Sequence, residues 1–313
     1  MSLQDFVSYR DRLVSTCSKA IVGKEEEITL VAVCYVCGGH ILLEDVPGTG
    51  KTMLFRAFSK ATGGSFKRIQ FTPDVMPSDV TGINFYNMKQ GEFEFRPGPV
   101  FADMVLADEI NRATPRTQSA LLEAMAEGQV SVDGVTRTLS PTFMVAATQN
   151  PIESYGTFPL PEAQMDRFMI RMKLGYMQRT EEIGVALRRD TTDIIAELTA
   201  VVTPEETLAL RRELDSIEIN EAAMGYIMDI IERTRADRRL NVGASPRGTI
   251  NLCKAARAHA AFEGRAFVTP DDVKFLAPYV LAHRLHYKTA VGKAESDEIF
   301  MEILNEIKVP TEA

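Results

Sequence analysis

The first half of the chain alternates between helical segments and short apolar runs. Residues 3–20 place apolar side chains at helical spacing, and a second helical segment follows at about 24–37. Short continuous apolar runs are typical of buried strands, and they lie at 41–43, 66–71, 104–107, 143–148 and 169–172. Strands that alternate with helices predict an α/β fold with a central, mostly parallel sheet.

Two further segments have the alternation of β-hairpins. Residues 82–99 contain Glu92-Phe93-Glu94-Phe95, and residues 128–140 contain a turn at Asp133-Gly134. The first hairpin is either a projecting loop that contacts a partner or an ordinary edge hairpin.

The composition changes near Gly175, and helical patterns follow to the end of the chain. Helix starts with a capping residue or proline lie at Thr203-Pro204, Asn220-Glu221, Ser245-Pro246 and Thr269-Pro270. The sequence therefore predicts an α/β domain at residues 1–174, including both hairpins, and a helical domain at 175–313.

A phosphate-binding loop is predicted between the first strand and the next helix. The stretch Val46-Pro47-Gly48-Thr49-Gly50-Lys51-Thr52 provides glycines for a tight turn whose N–H groups point inward, at a helix N-terminus. Lys51 is expected to reach the β- and γ-phosphates, and Thr52 to hold Mg²⁺. Asp45 stands where the strict motif has glycine. The residues that would contact phosphate are kept, so we expect little effect on activity.

Two residues ahead of the loop are also candidates for nucleotide contact. The apolar turn that contains Val22 and Gly23 either walls an adenine pocket or packs between helices. The candidate nucleotide-binding residues are Val22, Gly23, Pro47, Gly48, Thr49, Gly50, Lys51, Thr52 and Met53.

Polar side chains follow the later strands. Asp108 and Glu109 end one apolar strand, and Asn150 follows another. In a parallel sheet the carboxyl ends of the strands lie beside the phosphate loop. Asp108 is therefore expected to hold Mg²⁺, Glu109 to activate a water, and Asn150 either to bind the γ-phosphate or water or to cap a turn.

Two arginines complete the candidate site. A short predicted helix ends at Arg167, which is thereby displayed near the domain edge or pairs with an acid, and Arg247 lies in the first turn of a later helix.

Composition and charge narrow the class of protein. The 313 residues are 45% hydrophobic and 25% charged, as in globular proteins, and the net charge of -8 argues against nonspecific nucleic-acid binding. The sequence has neither signal-peptide features nor an apolar run that could span a bilayer. Together with its four cysteines, this predicts a cytoplasmic protein that is not inserted in a membrane. For Cys34/Cys37 the sequence favours buried small side chains over redox or zinc chemistry, and for His283/His286 it favours a surface or partly buried pair over a metal site.

Five stretches together resemble the MoxR family of AAA+ ATPases. They are Val46 to Thr52, Leu106 to Ala113, Gln118 to Met125, Ala147 to Pro151, and Leu160 to Phe168. The resemblance implies an α/β ATPase domain followed by a helical lid. It implies ATP and Mg²⁺ as ligands and a homo-oligomeric ring, commonly a hexamer.

The resemblance also implies roles for individual residues. Lys51 and Thr52 resemble Walker A, Asp108 and Glu109 resemble Walker B, and Asn150 resembles sensor 1. Arg167 looks like an arginine finger that serves a neighbouring subunit, and Arg247 looks like sensor 2, acting within its own subunit or on a neighbour. The two hairpins are similar to the helix-2 and pre-sensor-1 insertions.

The expected function is ATP hydrolysis at subunit interfaces, used for chaperone-like remodelling, maturation or activation of partner complexes. The resemblance implies a partner with a von Willebrand factor A domain, and the sequence does not name the client. The alternatives are the motor subunit of a metal chelatase and a nucleotide-switched assembly module. Asn111-Arg112-Ala113 fits MoxR better than a chelatase, and pure nucleotide binding would not need Glu109, Asn150 and Arg167.

Overall fold

The computed structural model describes residues 2–150, 156–187, 194–289 and 291–310. The chain divides into two compact units, which are discontinuous in sequence. The sheet unit comprises Arg12–Leu160 and Met172–Leu208, and the helical unit comprises Met1–Asp11, Pro161–Arg171 and Ala209–Ala313. The sequence predicts a single boundary near Gly175. The structure differs from this single boundary because two earlier segments, residues 161–171 and the start of the chain up to Asp11, pack with the later helices.

Helices contain more of the described residues than strands do. The α-helices are α1 (Leu3–Cys17), α2 (Glu25–Val36), α3 (Lys51–Ala61), α4 (Pro77–Thr81), α5 (Pro115–Glu127), α6 (Glu162–Met165), α7 (Arg179–Ala186), α8 (Ile194–Glu197), α9 (Pro204–Glu213), α10 (Glu221–Ala236), α11 (Pro246–Phe262), α12 (Pro270–Leu281) and α13 (Lys293–Glu306). The strands are β1 (Ile41–Glu44), β2 (Phe66–Gln70), β3 (Gly82–Asn87), β4 (Glu92–Pro97), β5 (Met104–Asp108), β6 (Gln129–Val132), β7 (Val135–Thr138), β8 (Met144–Gln149), β9 (Ile170–Met172), β10 (Leu240–Val242) and β11 (His286–Tyr287).

The central sheet has the strand order β2-β5-β8-β1-β9. The pairs β2–β5, β5–β8 and β1–β8 are parallel. Strands β1, β5 and β8 lie inside the sheet, and their apolar residues are buried on both faces, which explains why they read as continuous apolar runs. The carboxyl ends of these strands therefore meet at one edge of the sheet, as the sequence predicts.

Both predicted hairpins are present. β3 pairs with β4, and β6 pairs with β7, in antiparallel register. Gly82 opens the first hairpin with φ +97°, and a Cβ at this position would lie 2.5 Å from the carbonyl oxygen of Arg96. Glycine is required there both by the backbone angle and by the close approach of the two strands.

The helical unit begins its helices where the sequence predicts. Asn220 and Ser245 are the N-caps of α10 and α11, and each side chain accepts a backbone N–H of its helix. Tyr9 from α1 stacks on Phe262 of α11 with ring centroids 6.2 Å apart. The helical unit also contains the short antiparallel strand pair β10–β11, which the sequence pattern did not predict.

The structure shows the surroundings of the two residue pairs that were considered for metal or redox chemistry. Cys34 is buried, Cys37 is partly buried, and neither is part of a disulfide. His283 is buried and lies 3.0 Å from the carbonyl oxygen of Phe168, while His286 is only partly buried. Over the described ranges, no helix is both long and apolar enough to cross a membrane.

Candidate active site

A cavity of about 440 Å³ lies at the carboxyl edge of the sheet. This volume is within the range typical of small-molecule sites. The lining residues are Pro47, Gly48, Gly50, Lys51, Thr52, Met53, Arg68, Gln70, Asp108, Glu109, Thr148 and Asn150. The cavity thus joins the predicted phosphate loop to the predicted acidic pair and to the predicted amide.

The loop ahead of α3 has the backbone of an anion site. Gly48 and Gly50 have φ of +86° and +89°, and α3 begins at Lys51 immediately afterwards. A Cβ at Gly48 would meet nothing within 4 Å, so this glycine serves the backbone angle and not a close approach. The turn exposes N–H groups at the positive end of the helix dipole, an arrangement that binds phosphate.

Lys51, at the end of the phosphate loop, contributes a positively charged side chain to the cavity. Its Nζ donates a hydrogen bond to the backbone oxygen of Asp45 at 2.9 Å. Burial lowers the pKa of Lys51, while the carboxylates of Asp45, Asp108 and Glu109 oppose that shift. An anion bound in the cavity would act in the same direction as these carboxylates and favour the charged amine.

Asp45 has a role that the loop motif does not indicate. Its carboxylate is buried, and Oδ2 accepts the backbone N–H groups of Leu174 at 2.9 Å and Gly175 at 2.7 Å. Oδ1 accepts the N–H of Val46 at 2.8 Å. Asp45 therefore ties the start of the phosphate loop to the segment after β9.

Asp108 is held by two neighbouring strands. Its Oδ1 accepts the hydroxyl of Thr148 on β8 at 2.6 Å, and its Oδ2 accepts Nη2 of Arg68 on β2 at 2.6 Å. The Asp108 side chain is 15% exposed, so this carboxylate is oriented by its partners rather than by solvent.

Glu109 has a strained backbone beside that carboxylate. Its φ and ψ are 55° and 49°, in the left-handed region that non-glycine residues rarely adopt. Its N–H donates to the Thr148 hydroxyl at 2.9 Å, and Arg112 Nη1 donates to its carboxylate at 3.1 Å. Strain of this kind persists where surrounding contacts fix the residue, and it is frequent at functional sites.

Asn150 lies just after β8, is 8% exposed and lines the cavity. The buried Gln118 of α5 joins two loops. Its Nε2 donates to the carbonyl oxygens of Ile110, Ala113 and Phe158, at 3.2, 3.1 and 2.8 Å. Gln118 thus connects the loop after the acidic pair to the segment that follows Asn150.

Three predicted nucleotide-binding residues lie outside the lining of this cavity as the described residues form it. Thr49 is buried within the loop, where its hydroxyl donates to the carbonyl oxygen of Val46 at 3.4 Å. Val22 and Gly23 precede α2, and a Cβ at Gly23 would lie 2.0 Å from Glu181 Oε1. The tight packing at Gly23 agrees with the packing interpretation of this turn, and an adenine contact there stays a prediction.

The two predicted arginines belong to the helical unit. Arg167 follows α6 in a turn and is partly buried. Arg247 lies in the first turn of α11 with its side chain 55% exposed, and its Nη1 is 3.6 Å from Asp166 Oδ2. Asp166, which directly precedes Arg167 in the chain, therefore lies beside Arg247.

Sequence reasoning missed Arg68, Gln70 and Thr148 as lining residues. Arg68 and Gln70 lie on β2, and the register pairs Gln70 with Asp108. Their alternation along an exposed edge strand gives no chemical signal by itself. Thr148 lies in an apolar run, where a polar residue just before the strand end was the available signal.

The comparisons with known proteins agree with this architecture. Residues 40–170 match the family described as ATPase family associated with various cellular activities (AAA), and residues 232–304 match the AAA lid domain. The chain is 46% identical over 303 residues to the uncharacterized protein YeaC of Bacillus subtilis, covering 96% of this chain and 95% of YeaC. It is 38% identical to chaperone MoxR1 of Mycobacterium tuberculosis, covering 94% of this chain and 79% of MoxR1.

This chain belongs to the MoxR family of AAA+ ATPases. The crystal structure of a proposed ATPase from Cytophaga hutchinsonii has a TM-score of 0.89 and 36% sequence identity, and the match covers 98% of each chain. Membership in the MoxR family confirms the predicted family and fold class, and it decides against the alternative of a metal-chelatase motor.

Proposed function

We propose that this MoxR-family chain binds Mg-ATP in the cavity at the carboxyl edge of the sheet and hydrolyses it. The observation that carries the proposal is the meeting of the phosphate loop with Asp108, Glu109 and Asn150 around one cavity. A loop for phosphate, an oxygen ligand for a metal and a base for water are the parts that phosphoryl transfer to water requires.

The residues present fit a magnesium ion. The Thr52 hydroxyl and the Asp108 carboxylate line the same cavity, and both are hard oxygen donors of the kind Mg²⁺ prefers. These two residues would hold the ion, with waters and phosphate oxygens as its other ligands. When bound, Mg²⁺ would neutralise charge on the phosphates.

The other cavity residues act on the substrate. Lys51 and the N–H groups of the loop bind the phosphates, and the Glu109 carboxylate accepts a proton from the attacking water. Arg112 and the Thr148 hydroxyl hold Glu109 in place. Asn150 offers an amide that orients the water or a γ-phosphate oxygen.

We further propose that hydrolysis takes place between subunits of a ring, commonly a hexamer in this family. Arg167 of one subunit serves the nucleotide of the next, and Arg247 also acts on bound nucleotide. An arginine supplied by a neighbour is worth about 10³- to 10⁵-fold in other phosphate-loop enzymes. Activity per subunit should therefore depend on assembly.

The first experiment measures ATPase rate per subunit against protein concentration, with particle mass determined alongside, with and without Mg-ATP. A rate that rises steeply with assembly supports a shared site. A flat rate from a strict monomer would contradict the ring and leave a self-contained ATPase.

Three variants separate binding from turnover. Lys51→Ala should lose binding of a fluorescent ATP analogue, whereas Glu109→Gln and Arg167→Ala should keep binding and lose turnover. Glu298→Gln on α13 is the matched control for Glu109→Gln, with an unchanged rate. Full hydrolysis by Arg167→Ala would refute its role as the arginine finger.

We propose that the energy of hydrolysis drives chaperone-like remodelling of a client complex in the cytoplasm. The relative MoxR1 is named a chaperone, and the family resemblance adds a partner with a von Willebrand factor A domain. The test is whether such a partner, encoded beside this gene, binds the wild-type ring and changes its ATPase rate. A neighbouring partner that neither binds nor changes the rate would count against this part of the proposal.

A further inference from the structure

One buried side chain fixes the turn that carries Arg167. Arg284 is 3% exposed and lies at the end of a 3₁₀ turn after α12. Its Nη1 donates to the backbone oxygen of Asp166 at 2.8 Å and also to the Asp166 carboxylate, while Nη2 donates to the backbone oxygen of Phe168 at 2.5 Å. The two carbonyl groups flank Arg167, so one guanidinium holds the chain on both sides of it.

Asp166 extends this link to α11. Its carboxylate accepts the hydroxyl of Ser245 at 3.1 Å, and Ser245 is the N-cap of α11. Arg247 is the second residue of that helix, and its Nη1 lies 3.6 Å from Asp166 Oδ2. The same carboxylate thus contacts Arg284, the helix start and Arg247.

The surroundings of this link are tightly packed. A Cβ at Gly248 would lie 3.3 Å from Arg284 Cδ, so α11 approaches the guanidinium closely. The buried His283 donates from Nε2 to the backbone oxygen of Phe168 at 3.0 Å. Burial, together with the nearby Arg284 and Arg171, lowers the pKa of His283, which therefore stays neutral and adds no competing charge.

We propose that Asp166 and Arg284 are positioning residues that fix Arg167 and Arg247 relative to each other. The inference rests on the proposed role of the two arginines in hydrolysis. The contacts of Asp166 and Arg284 that support it all lie within the helical unit. They reach the backbone around Arg167, the side chain of Ser245 and the side chain of Arg247. Because an ion pair to a buried guanidinium has defined geometry, the backbone at Arg167 and the start of α11 are held as one body.

The test is a mutant cycle on assembled rings, with assembly checked by mass. Asp166→Asn keeps the size of the side chain but removes its charge. At saturating Mg-ATP we expect kcat to fall about 10- to 100-fold, the range that a misplaced group can cost. The KM and the affinity for a fluorescent ATP analogue should be unchanged.

The same change is then made in an Arg167→Ala/Arg247→Ala background, where we expect no further loss. A purely structural residue would lower the rate by the same factor in both backgrounds, and that result would overturn the proposal. Asp215→Asn is the matched control, since Asp215 also pairs with an arginine of the helical unit, Arg257 at 3.1 Å, and is 88% exposed.

Arg284→Lys provides a second route. Lysine keeps the buried charge but cannot span both flanking carbonyl groups, so kcat should fall without a change in KM. Loss of assembly in both Asp166→Asn and Arg284→Lys would count against a positioning role. If the Arg167→Ala/Arg247→Ala variant keeps the full rate, the proposed function fails. If that variant is slow but Asp166→Asn is not, the positioning proposal alone fails.

Discussion

Replacing Asp45 by glycine would restore the strict phosphate-loop motif, and we expect it to destabilise the protein. Asp45 does not have a positive φ, whereas Gly48 and Gly50 do. Glycine at residue 45 therefore relieves no backbone strain, while it removes the carboxylate that accepts the N–H groups of Val46, Leu174 and Gly175.

The size of the effect follows from these contacts. A hydrogen bond to a charged group contributes about 1.5–3 kcal/mol, and a buried donor left unpaired loses its desolvation cost as well. Leu174 is 1% exposed, so its N–H gains no water in exchange, whereas the half-buried Val46 and Gly175 regain some. Counting the hydrogen bond from Leu174 in full and those from Val46 and Gly175 at a fraction gives a loss of stability of about 3 kcal/mol. The greater backbone freedom of glycine adds about 0.5–1 kcal/mol.

Urea unfolding followed by circular dichroism measures this loss. With an m-value of about 3 kcal/mol/M, the midpoint of the sheet unit should fall by about 1 M. Asp45→Asn, which keeps an acceptor but not the charge, should fall by less than half as much. Asp74→Gly, at an exposed turn of the same unit, is the matched control with little change. An Asp45→Gly midpoint equal to that of the wild type would refute the reasoning.

Three further predictions concern other contacts. Thr148→Val removes the hydroxyl that holds both Glu109 and Asp108, so kcat for ATP should fall about 10- to 100-fold and more Mg²⁺ should be needed for the half-maximal rate. A wild-type kcat in steady-state kinetics would contradict this reasoning. Although burial opposes ionisation, hydrogen bonds lower the pKa of Asp272. The folded state therefore binds this proton less readily than the unfolded state, and stability is lost as pH falls below about 4. Thermal melting from pH 6 to 3 should show a steeper loss for the wild type than for Asp272→Asn. Gly82→Ala meets the Arg96 carbonyl, so limited proteolysis should cut the first hairpin faster, and an unchanged cutting rate would contradict this.

The sequence predicted the parts of the site that depend on neighbouring residues. An apolar run, a glycine turn and a helix start suffice to place Lys51, because the turn and the helix dipole are local. Asp108 and Glu109 follow the same logic, since parallel strands bring their carboxyl ends to one edge whatever their order.

The partners of those residues could not be predicted in the same way. Thr148 and Arg68 reach Asp108 from the two strands beside it, and that requires the order β2-β5-β8 and its register. The pair β10–β11 escaped detection for a related reason. Strands of two or three residues are too short to show alternation, and their pairing depends on tertiary contact.

Asp45 and Asp166 show that a sequence motif can locate a residue without revealing which contacts hold it in place. Gly48 and Gly50 are set by backbone angles, so the local sequence alone justifies them. Asp45 and Asp166 stand beside equally recognisable residues, yet each is set by partners far along the chain. Asp45 meets the N–H groups of residues 129 and 130 positions away, and Asp166 meets Ser245 and Arg284, 79 and 118 positions away. A carboxylate that accepts several hydrogen bonds is costly to remove and can hold a loop in one geometry. A departure such as Asp45 beside a phosphate loop is therefore a place to look for such a tie, and exchanging it for the consensus glycine removes the tie.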